Sequence, residues 1–254
     1  MTSQRVLITA GANGIGKEIA LAFAAKGARV FVVDIDAEGL DRLARSSPNI
    51  SVALCDMARR ADIERAVAAA AETLGGLDVL VNNAGIAGPT APVEAYDPDA
   101  WEAVMQVNLN GTFNVTRLAI PHLKKSPAGS VIIMSSVAGR YGYPNRSAYC
   151  ASKWGLVGFT KTLSRELGPY GIRVNAILPG GVAGDRVEQV LAGRAQLSGR
   201  SIEEERADAM ANQSLKRFVD PRDIAALILF LVSDAGKSIS GQMLPIDNDS
   251  QNAA

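Results

Sequence analysis

The 254-residue sequence predicts an α/β fold, a single doubly wound parallel sheet with helices on both faces. Three observations predict it. Short β-branched runs alternate along the whole chain with longer stretches of helical periodicity, which is the pattern of β-α-β units joined by right-handed crossovers. Hydrophobic residues make up 48% of the chain and aromatics only 5%. Such a core is built from Ala, Val, Ile and Leu, as helices packed on a parallel sheet require. Finally, no repeat, linker or low-complexity tract divides the chain, so residues 1–254 read as one domain.

The elements follow in order. RVLIT, ARVFVVD, ISVALC, LDVLVN, GSVIIMSS and IRVNAIL read as buried strands, and QMLPID closes the series. Between them NGIGKEIALAFAAKG, AEGLDRLARSS, ARRADIERAVAAAAETLG, residues 101–125 and residues 148–171 carry helical spacing. Gly27, Gly75 and Gly171 mark helix C-termini, and Pro221 opens the last helix at a first-turn position. Residues 181–218 break the rhythm: they are charged, helical in places and punctuated by Gly181, Gly184, Gly193 and Gly199, which are expected to permit hinging. Following the sixth strand, they are expected to form a lid inserted above the carboxyl edge of the sheet, where doubly wound folds bind ligands.

Charge and residue usage narrow the function. Lys+Arg and Asp+Glu each number 26, so no basic surplus exists to neutralise a nucleic-acid backbone. The longest apolar run, IAALILFLV, is nine residues, far short of a membrane span. MTSQ leads straight into the first strand without room for a signal segment, and Cys55 and Cys150 have no paired spacing. A cytoplasmic protein with free buried thiols is the expectation. The single histidine, His122, lies in a helical stretch with no acidic or thiol cluster nearby, which argues against a histidine triad and against a metal site.

TAGANGIG, residues 9–16, joins the first strand to the first helix. Gly11, Gly14 and Gly16 let backbone approach a ligand there, and the helix N-terminus offers free N–H groups to a pyrophosphate. Asp34 ends the second strand, eighteen residues after Gly16. A carboxylate so placed can accept both ribose hydroxyls of an adenosine; otherwise Asp34 is a turn residue beside Asp36, which caps the next helix. In the first reading a 2′-phosphate at ~5 Å is repelled by several kcal/mol at an effective dielectric near 20. No cation follows at position 35 and Asn13 supplies none, so NAD is favoured over NADP.

These residues, with NNAG at 82–85, Asn108, the Ser135-Ser136 pair, Tyr149-x-x-x-Lys153 and PGGV at 179–182, give the chain its resemblance to the short-chain dehydrogenase/reductase family. The resemblance runs over essentially the full length, and the landmarks fall in the family's order. It implies a Rossmann-type sheet, an NAD(P)-dependent oxidoreductase and a catalytic tetrad of Asn108, Ser136, Tyr149 and Lys153. Ser136 is preferred to Ser135 because the family's serine lies thirteen residues before its tyrosine. The resemblance also implies that Asp56 contacts the adenine and that Asn83 and its neighbours support the adenosine side. Val182 backbone is expected to hold the nicotinamide amide, and Ile15, Gly85, Pro179 and Gly180 join Asn13, Tyr149 and Lys153 along the cofactor. Three positions depart from the pattern: Ala10 replaces the first loop glycine, Gly184 stands where a threonine is usual, and PIDNDSQNAA replaces a common C-terminal glycine pair.

The tetrad has a physical logic. A tyrosine serving as base near neutrality needs its pKa lowered by about three units, or ~4 kcal/mol. An ammonium ~4–5 Å away supplies roughly 3–4 kcal/mol at an effective dielectric of 20. One helical turn places Lys153 beside Tyr149, Ser136 can donate to a carbonyl oxygen as charge develops on it, and the resemblance gives Asn108 a helix bend and a proton-relay water. RYGYPNRS at 140–147 and the 181–218 segment are expected to line a pocket for a polar small molecule: a polyol, sugar or hydroxy acid. Arg186, Arg194 and Arg200 either read such a substrate or are solvated lid residues. A 3-oxoacyl-[acyl-carrier-protein] reductase is the nearest alternative; a lyase, an epimerase or a nucleotide sensor fits less well with loop and tetrad both present. Apolar residues on more than one face of 101–125 and 149–170, together with the resemblance, imply a homotetramer.

Overall fold

A computed structural model describes residues 3–251, and the end of the C-terminal tail lies outside them. Seven parallel strands form one sheet in the order β3-β2-β1-β4-β5-β6-β7. They are β1 (Arg5–Thr9), β2 (Arg29–Asp34), β3 (Ile50–Leu54), β4 (Val79–Asn82), β5 (Ser130–Met134), β6 (Arg173–Pro179) and β7 (Met243–Ile246). All seven predicted runs are therefore strands. β1 pairs with β2 on one side and β4 on the other, and Ile8 registers with both Val32 and Val81. The order of strands reverses at β1/β4, so the loops leaving these two strands diverge and open a crevice at the carboxyl edge.

The two faces of the sheet are read directly from the strand period. Val6, Ile8, Val79, Val81, Ile132 and Met134 point to one side and pack on α1 (Gly14–Ala25), α2 (Ala37–Ser46) and α9 (Pro221–Val232). Leu7, Leu80, Val131 and Ile133 point to the other, against α3 (Arg60–Leu74), α5 (Thr112–Leu123) and α6 (Ser147–Leu167). Alternate residues thus serve opposite cores, so the middle of each central strand is apolar on both faces. Leu80 and Ile132 are fully buried, and each contributes about 1.5–3 kcal/mol of transfer free energy.

The predicted helix at 101–125 is not continuous. It divides into α4 (Pro98–Met105), one π-type turn (Gln106–Gly111) and α5. Asp97 caps α4, and Pro98 occupies the first turn, where its missing N–H leaves no bond unmade. The π turn is the bend expected at Asn108, whose side chain is withdrawn into the interior.

The 181–218 segment is a helical hairpin, α7 (Asp185–Ser198) and α8 (Ile202–Ala211), standing above the carboxyl edge. Gly199 turns the chain at φ 72°, and Ser201 with Glu204 forms a capping box that starts α8. Arg206 pairs with Glu188, and Arg200 pairs with Asp208 and Glu205, so most of its charge is spent holding the hairpin together. Gly193, expected as a hinge, lies inside α7; a Cβ there would meet Thr90 Oγ1 at 3.2 Å. Its lack of a side chain serves close packing.

Candidate active site

β1 feeds the glycine loop into α1. Gly14 takes φ 52°, a left-handed conformation that glycine adopts without steric cost, and the space around it is open. Gly16 is needed for a different reason: a Cβ there would lie 2.3 Å from Ala10 O and 2.6 Å from Asn83 Nδ2. Gly11 likewise packs on Val32 rather than facing a ligand. Ala10 itself sits at φ 52°, so the residue replacing a glycine here holds a glycine conformation. Asn83 Nδ2 donates to Ala10 O at 2.7 Å and ties the β4 end to this loop.

The Asp34 carboxylate is fixed by three backbone donors: Ala12 N–H at 3.0 Å on Oδ2, and Ile35 N–H at 2.7 Å and Asp36 N–H at 3.1 Å on Oδ1. About four acceptor sites exist on a carboxylate, so a contact to both ribose hydroxyls must share one already in use. Asp36 caps α2 through Gly39 N–H and accepts from Asn13 Nδ2 at 2.7 Å. The turn role and the ligand-facing role therefore fall on adjacent acids. Arg42 approaches Asp36 at 3.8 Å and Glu38 at 3.7 Å, so its charge is shared between two carboxylates. Asp56 is half-buried at the end of β3, where its Oδ1 accepts from Ala58 N–H at 2.8 Å.

A cleft of about 490 Å³ runs from this loop to α7. Asn13, Gly14, Ile15, Asn83, Gly85, Ser136, Tyr149, Lys153, Pro179, Gly180 and Val182 line it. Gly11 and Gly16 lie under the loop, Asp34 and Asp56 stand at neighbouring strand ends, and Asn108 lies behind the wall. Val182 pairs with Val219, and Gly180 N–H donates to Ile246 O, so β6 hands the chain to the hairpin through fixed backbone. Gly184 opens α7 at φ 134°, ψ 177°, a region essentially closed to other residues. A threonine could not stand there without changing the loop. Arg186, two residues on, donates to Gly85 O at 2.8 Å and links the hairpin to the β4 loop.

At the centre of the cleft, α6 presents Tyr149 and Lys153. Lys153 is buried, its Nζ donates to Met134 O at 2.7 Å, and it lies 5.6 Å from the Tyr149 ring centroid. Burial lowers its pKa to about 8, although the phenol opposes this. For Tyr149, burial raises the pKa, but Lys153, Arg186, a hydrogen bond from Ser136 and Arg146 together outweigh it and bring the phenol below its ordinary value. The two serines part company here. Ser136 faces Tyr149, while Ser135 Oγ donates to Lys153 O at 2.9 Å. Asn108 Nδ2 donates to Ile86 O and to Ser152 Oγ, both at 3.0 Å, and Oδ1 accepts from Ile86 N–H at 2.7 Å. The amide clamps the β4 loop to α6. Gly85 fits between this clamp and Lys153, where a Cβ would lie 3.2 Å from Asn108 Oδ1 and 3.4 Å from Lys153 Nζ.

Two further arginines line the cleft on the side of Tyr143 and α7. Arg146 is buried with its guanidinium 4.8 Å from the Tyr149 ring centroid, and Arg194 sits 5.8 Å from that of Tyr143. Arg146 belongs to the RYGYPNRS stretch expected at the pocket, but nothing in its sequence context distinguishes it from Arg140. Arg200 is not in the cleft; it is held on the outside of the hairpin by Asp208 and Glu205. Of the two thiols, Cys55 is buried and its pKa is pushed up to about 11 by desolvation, whereas Cys150 is half-buried.

Comparison with known proteins follows the same lines. A family model described as enoyl-(acyl carrier protein) reductase matches residues 9–248. A 3-oxoacyl-[acyl-carrier-protein] reductase of Thermotoga maritima is 38% identical over 95% of both chains. A D-beta-hydroxybutyrate dehydrogenase of Cupriavidus necator is 36% identical over 97% of both. Among solved structures, an actinorhodin polyketide ketoreductase with NADPH aligns at TM-score 0.92 and 31% identity, covering 97% of this chain and 96% of that one. A xylitol dehydrogenase bound to NAD+ aligns at TM-score 0.92 and 27% identity, covering 96% and 97%.

Proposed function

The chain belongs to the short-chain dehydrogenase/reductase family, whose fold binds a nicotinamide cofactor and whose members interconvert secondary alcohols and ketones; from that premise we propose an NAD-dependent dehydrogenase acting on a polar secondary alcohol. The observation that carries this reading is the placement of an acidified phenol, Tyr149, with buried Lys153 and with Ser136 in the same cleft as the glycine loop.

The residues present fit the cofactor. The open left-handed Gly14 and the α1 N-terminus leave room and N–H donors for a pyrophosphate. Asp34 holds a fixed negative charge where a 2′-phosphate would come, which supports NAD over NADP. When bound, the nicotinamide supplies the hydride acceptor. Tyr149 takes the hydroxyl proton of the alcohol, or returns it to the ketone in the reverse direction. Lys153 lowers the cost of the phenolate, and Ser136 holds the substrate oxygen as its charge changes. Asn108 keeps α6 and the β4 loop in register, and the second lone pair of its Oδ1 is available to a relay water. The α7–α8 hairpin is the lid over this chemistry, shielding it from solvent when it closes.

The test is a screen of NAD and NADP reduction over polyols, sugars, hydroxy acids and hydrophobic secondary alcohols. Steady NADH formation with one polar class is expected; preferred use of NADP, or no turnover of any alcohol, overturns the reading. A 3-oxoacyl-[acyl-carrier-protein] reductase is the second reading, favoured by the Thermotoga maritima relative. It predicts instead rapid NADPH oxidation with a 3-oxoacyl thioester. A homotetramer is proposed on the family resemblance and on exposed Phe113 and Trp154 of α5 and α6. Light scattering showing a monomer at micromolar concentration would refute it. Among the described residues no helix is long and apolar enough to cross a membrane, and a cytoplasmic location is proposed.

A further inference from the structure

The substrate end of the cleft holds more positive charge than the protein neutralises. Arg146, Lys153, Arg186 and Arg194 line the cleft, and Asp185 is the one carboxylate among the described lining residues. Lys153 and Arg186 have roles already: both face Tyr149 and each donates to a backbone carbonyl. Arg146 also faces Tyr149 and Arg194 lies over Tyr143, but among the described residues neither guanidinium donates to a backbone carbonyl. Among the described residues neither forms an ion pair, whereas Arg200 and Arg206 of the same hairpin are both paired.

Arg146 is the more telling of the two. It is 6% exposed, it lines the cleft, and its Nε has no hydrogen-bond partner. A guanidinium taken out of water without a counter-charge is unfavourable, and such groups persist where a ligand supplies the missing partner. Burial lowers its pKa, opposed by Tyr149 and reinforced by repulsion from Arg194 and Arg186. The two arginines therefore share one field. Their planar donor arrays suit a carboxylate, which can accept two parallel N–H bonds from one guanidinium. Arg146 stacks on Tyr149 itself, so the anion and the reacting hydroxyl must belong to one short molecule.

We propose that Arg146 and Arg194 form an anion subsite for the substrate, and that the substrate is a short-chain hydroxy carboxylate or the matching keto acid. This rests on the dehydrogenase reading above and narrows it, setting aside neutral polyols and sugars. The carboxylate binds the arginine pair, the hydroxyl carbon faces the cofactor, and the hydroxyl meets Tyr149 and Ser136. Arg146 is placed as a substrate-binding residue at the buried end. Arg194, carried on α7, completes the subsite from the hairpin, so that an anionic substrate draws the hairpin toward the cleft.

The experiment compares matched substrates on the full-length protein with NAD: short-chain hydroxy carboxylates, their amides and methyl esters, and neutral secondary alcohols. The wild type is expected to prefer the carboxylate over its amide in kcat/KM by about 10- to 100-fold, the range of one or two charge-assisted hydrogen bonds. In Arg146→Gln and in Arg194→Gln this preference ratio should fall to within about threefold of unity, and Arg146→Lys should restore part of it. Thermal melting gives a second readout that needs no turnover. In the presence of NAD, butyrate should raise the wild-type Tm more than butyramide does, and Arg194→Gln, on the half-buried hairpin face, should lose the difference. If amide and carboxylate are used equally well, or the ratio survives both substitutions, the anion subsite is wrong while the dehydrogenase reading stands. Absence of turnover on every alcohol and ketone overturns that broader reading instead, whatever butyrate does to the Tm.

Discussion

The acids at the strand ends and the basic residues lining the cleft treat charge in opposite ways. Beneath β2 and β3, Asp34, Asp36 and Asp56 each have carboxylate oxygens held by backbone N–H groups, and Asp36 is also bonded by Asn13. On the other side, Arg146 and the α7 residue Arg194 have no carboxylate partner among the described residues. The acidic end is finished before a ligand arrives: its carboxylates are fixed in place and can select by repulsion. The basic end is unfinished, and a ligand must complete it. Between them Tyr149 belongs to both, because its acidity is set by Lys153 from its own helix and by Arg186 and Arg146 from the basic side.

Loss of the phenol between these two groups should cost the most activity. Tyr149→Phe keeps the ring that lies under Arg146 but deletes the proposed proton-transfer group, so turnover should fall by about 10²–10⁴-fold or more while NADH binding changes little. Activity within a few fold of wild type would mean that the proton goes elsewhere.

Lys153→Met separates the lysine's share from the arginines' share. Oxidation should speed up as pH rises through the Tyr149 pKa, which lies below 10 in the wild type. The substitution should move that limb toward higher pH and cost on the order of 100-fold near neutrality. Stability supplies an independent check. Burial depresses the Lys153 pKa from 10.5 to about 8, so the unfolded chain binds this proton more tightly than the folded one. This group therefore makes the wild type more stable as pH rises from about 8 toward 10.5, and the methionine variant should lose that rise. A pH–rate profile identical to wild type would assign the phenol's acidity to Arg186 and Arg146.

Asp34→Ala tests the acidic end. It should raise the KM for NAD by roughly tenfold, the scale of one charged hydrogen bond, and relax discrimination against NADP. Unchanged cofactor preference would show that the three N–H donors have already absorbed the repulsive charge.

The smallest effects concern the backbone under the acidic end. Ala10 pays for a left-handed conformation that costs an L-residue about 1–2 kcal/mol, so Ala10→Gly should stabilise the protein by roughly 0.5–1 kcal/mol after glycine's own entropy cost. That corresponds to a Tm rise of about 1–3 °C. Asn248→Gly is the control. Asn248 and Asp249 also hold positive φ, at 57° and 56°, in the stretch where a glycine pair is common. Asparagine tolerates this region, and its Nδ2 donates to Arg217 O at 2.6 Å, so glycine there should gain nothing. A melting scan of both variants decides between these accounts.

The sheet, its helices and the glycine loop could be read from the amino acids alone, because these rest on local period. Alternate residues of β1 and β4 face opposite cores, so seven apolar runs could be found without knowing their partners. The Tyr149–Lys153 pair was legible for the same reason, because one turn of α6 sets the two together, whereas Asn108 and Ser136 were reached only through the family resemblance. Four things were decided by tertiary structure. The π turn that interrupts 101–125 depends on Asn108 reaching Ile86 and Ser152, contacts 22 and 44 residues away in the chain. The Ala12 N–H on Asp34 depends on how the glycine loop folds back over β2, whereas its other two donors are sequence neighbours. Gly193 looked like a hinge because helix-interior packing on Thr90 leaves no trace in its own neighbourhood. The sorting of the arginines was equally invisible. Arg146, Arg186, Arg194 and Arg200 are equivalent on paper, but the hairpin places acids beside Arg200 and leaves Arg146 and Arg194 without them. Period is a property of neighbours along the chain, whereas charge pairing is a property of neighbours in space, and only the folded molecule decides those.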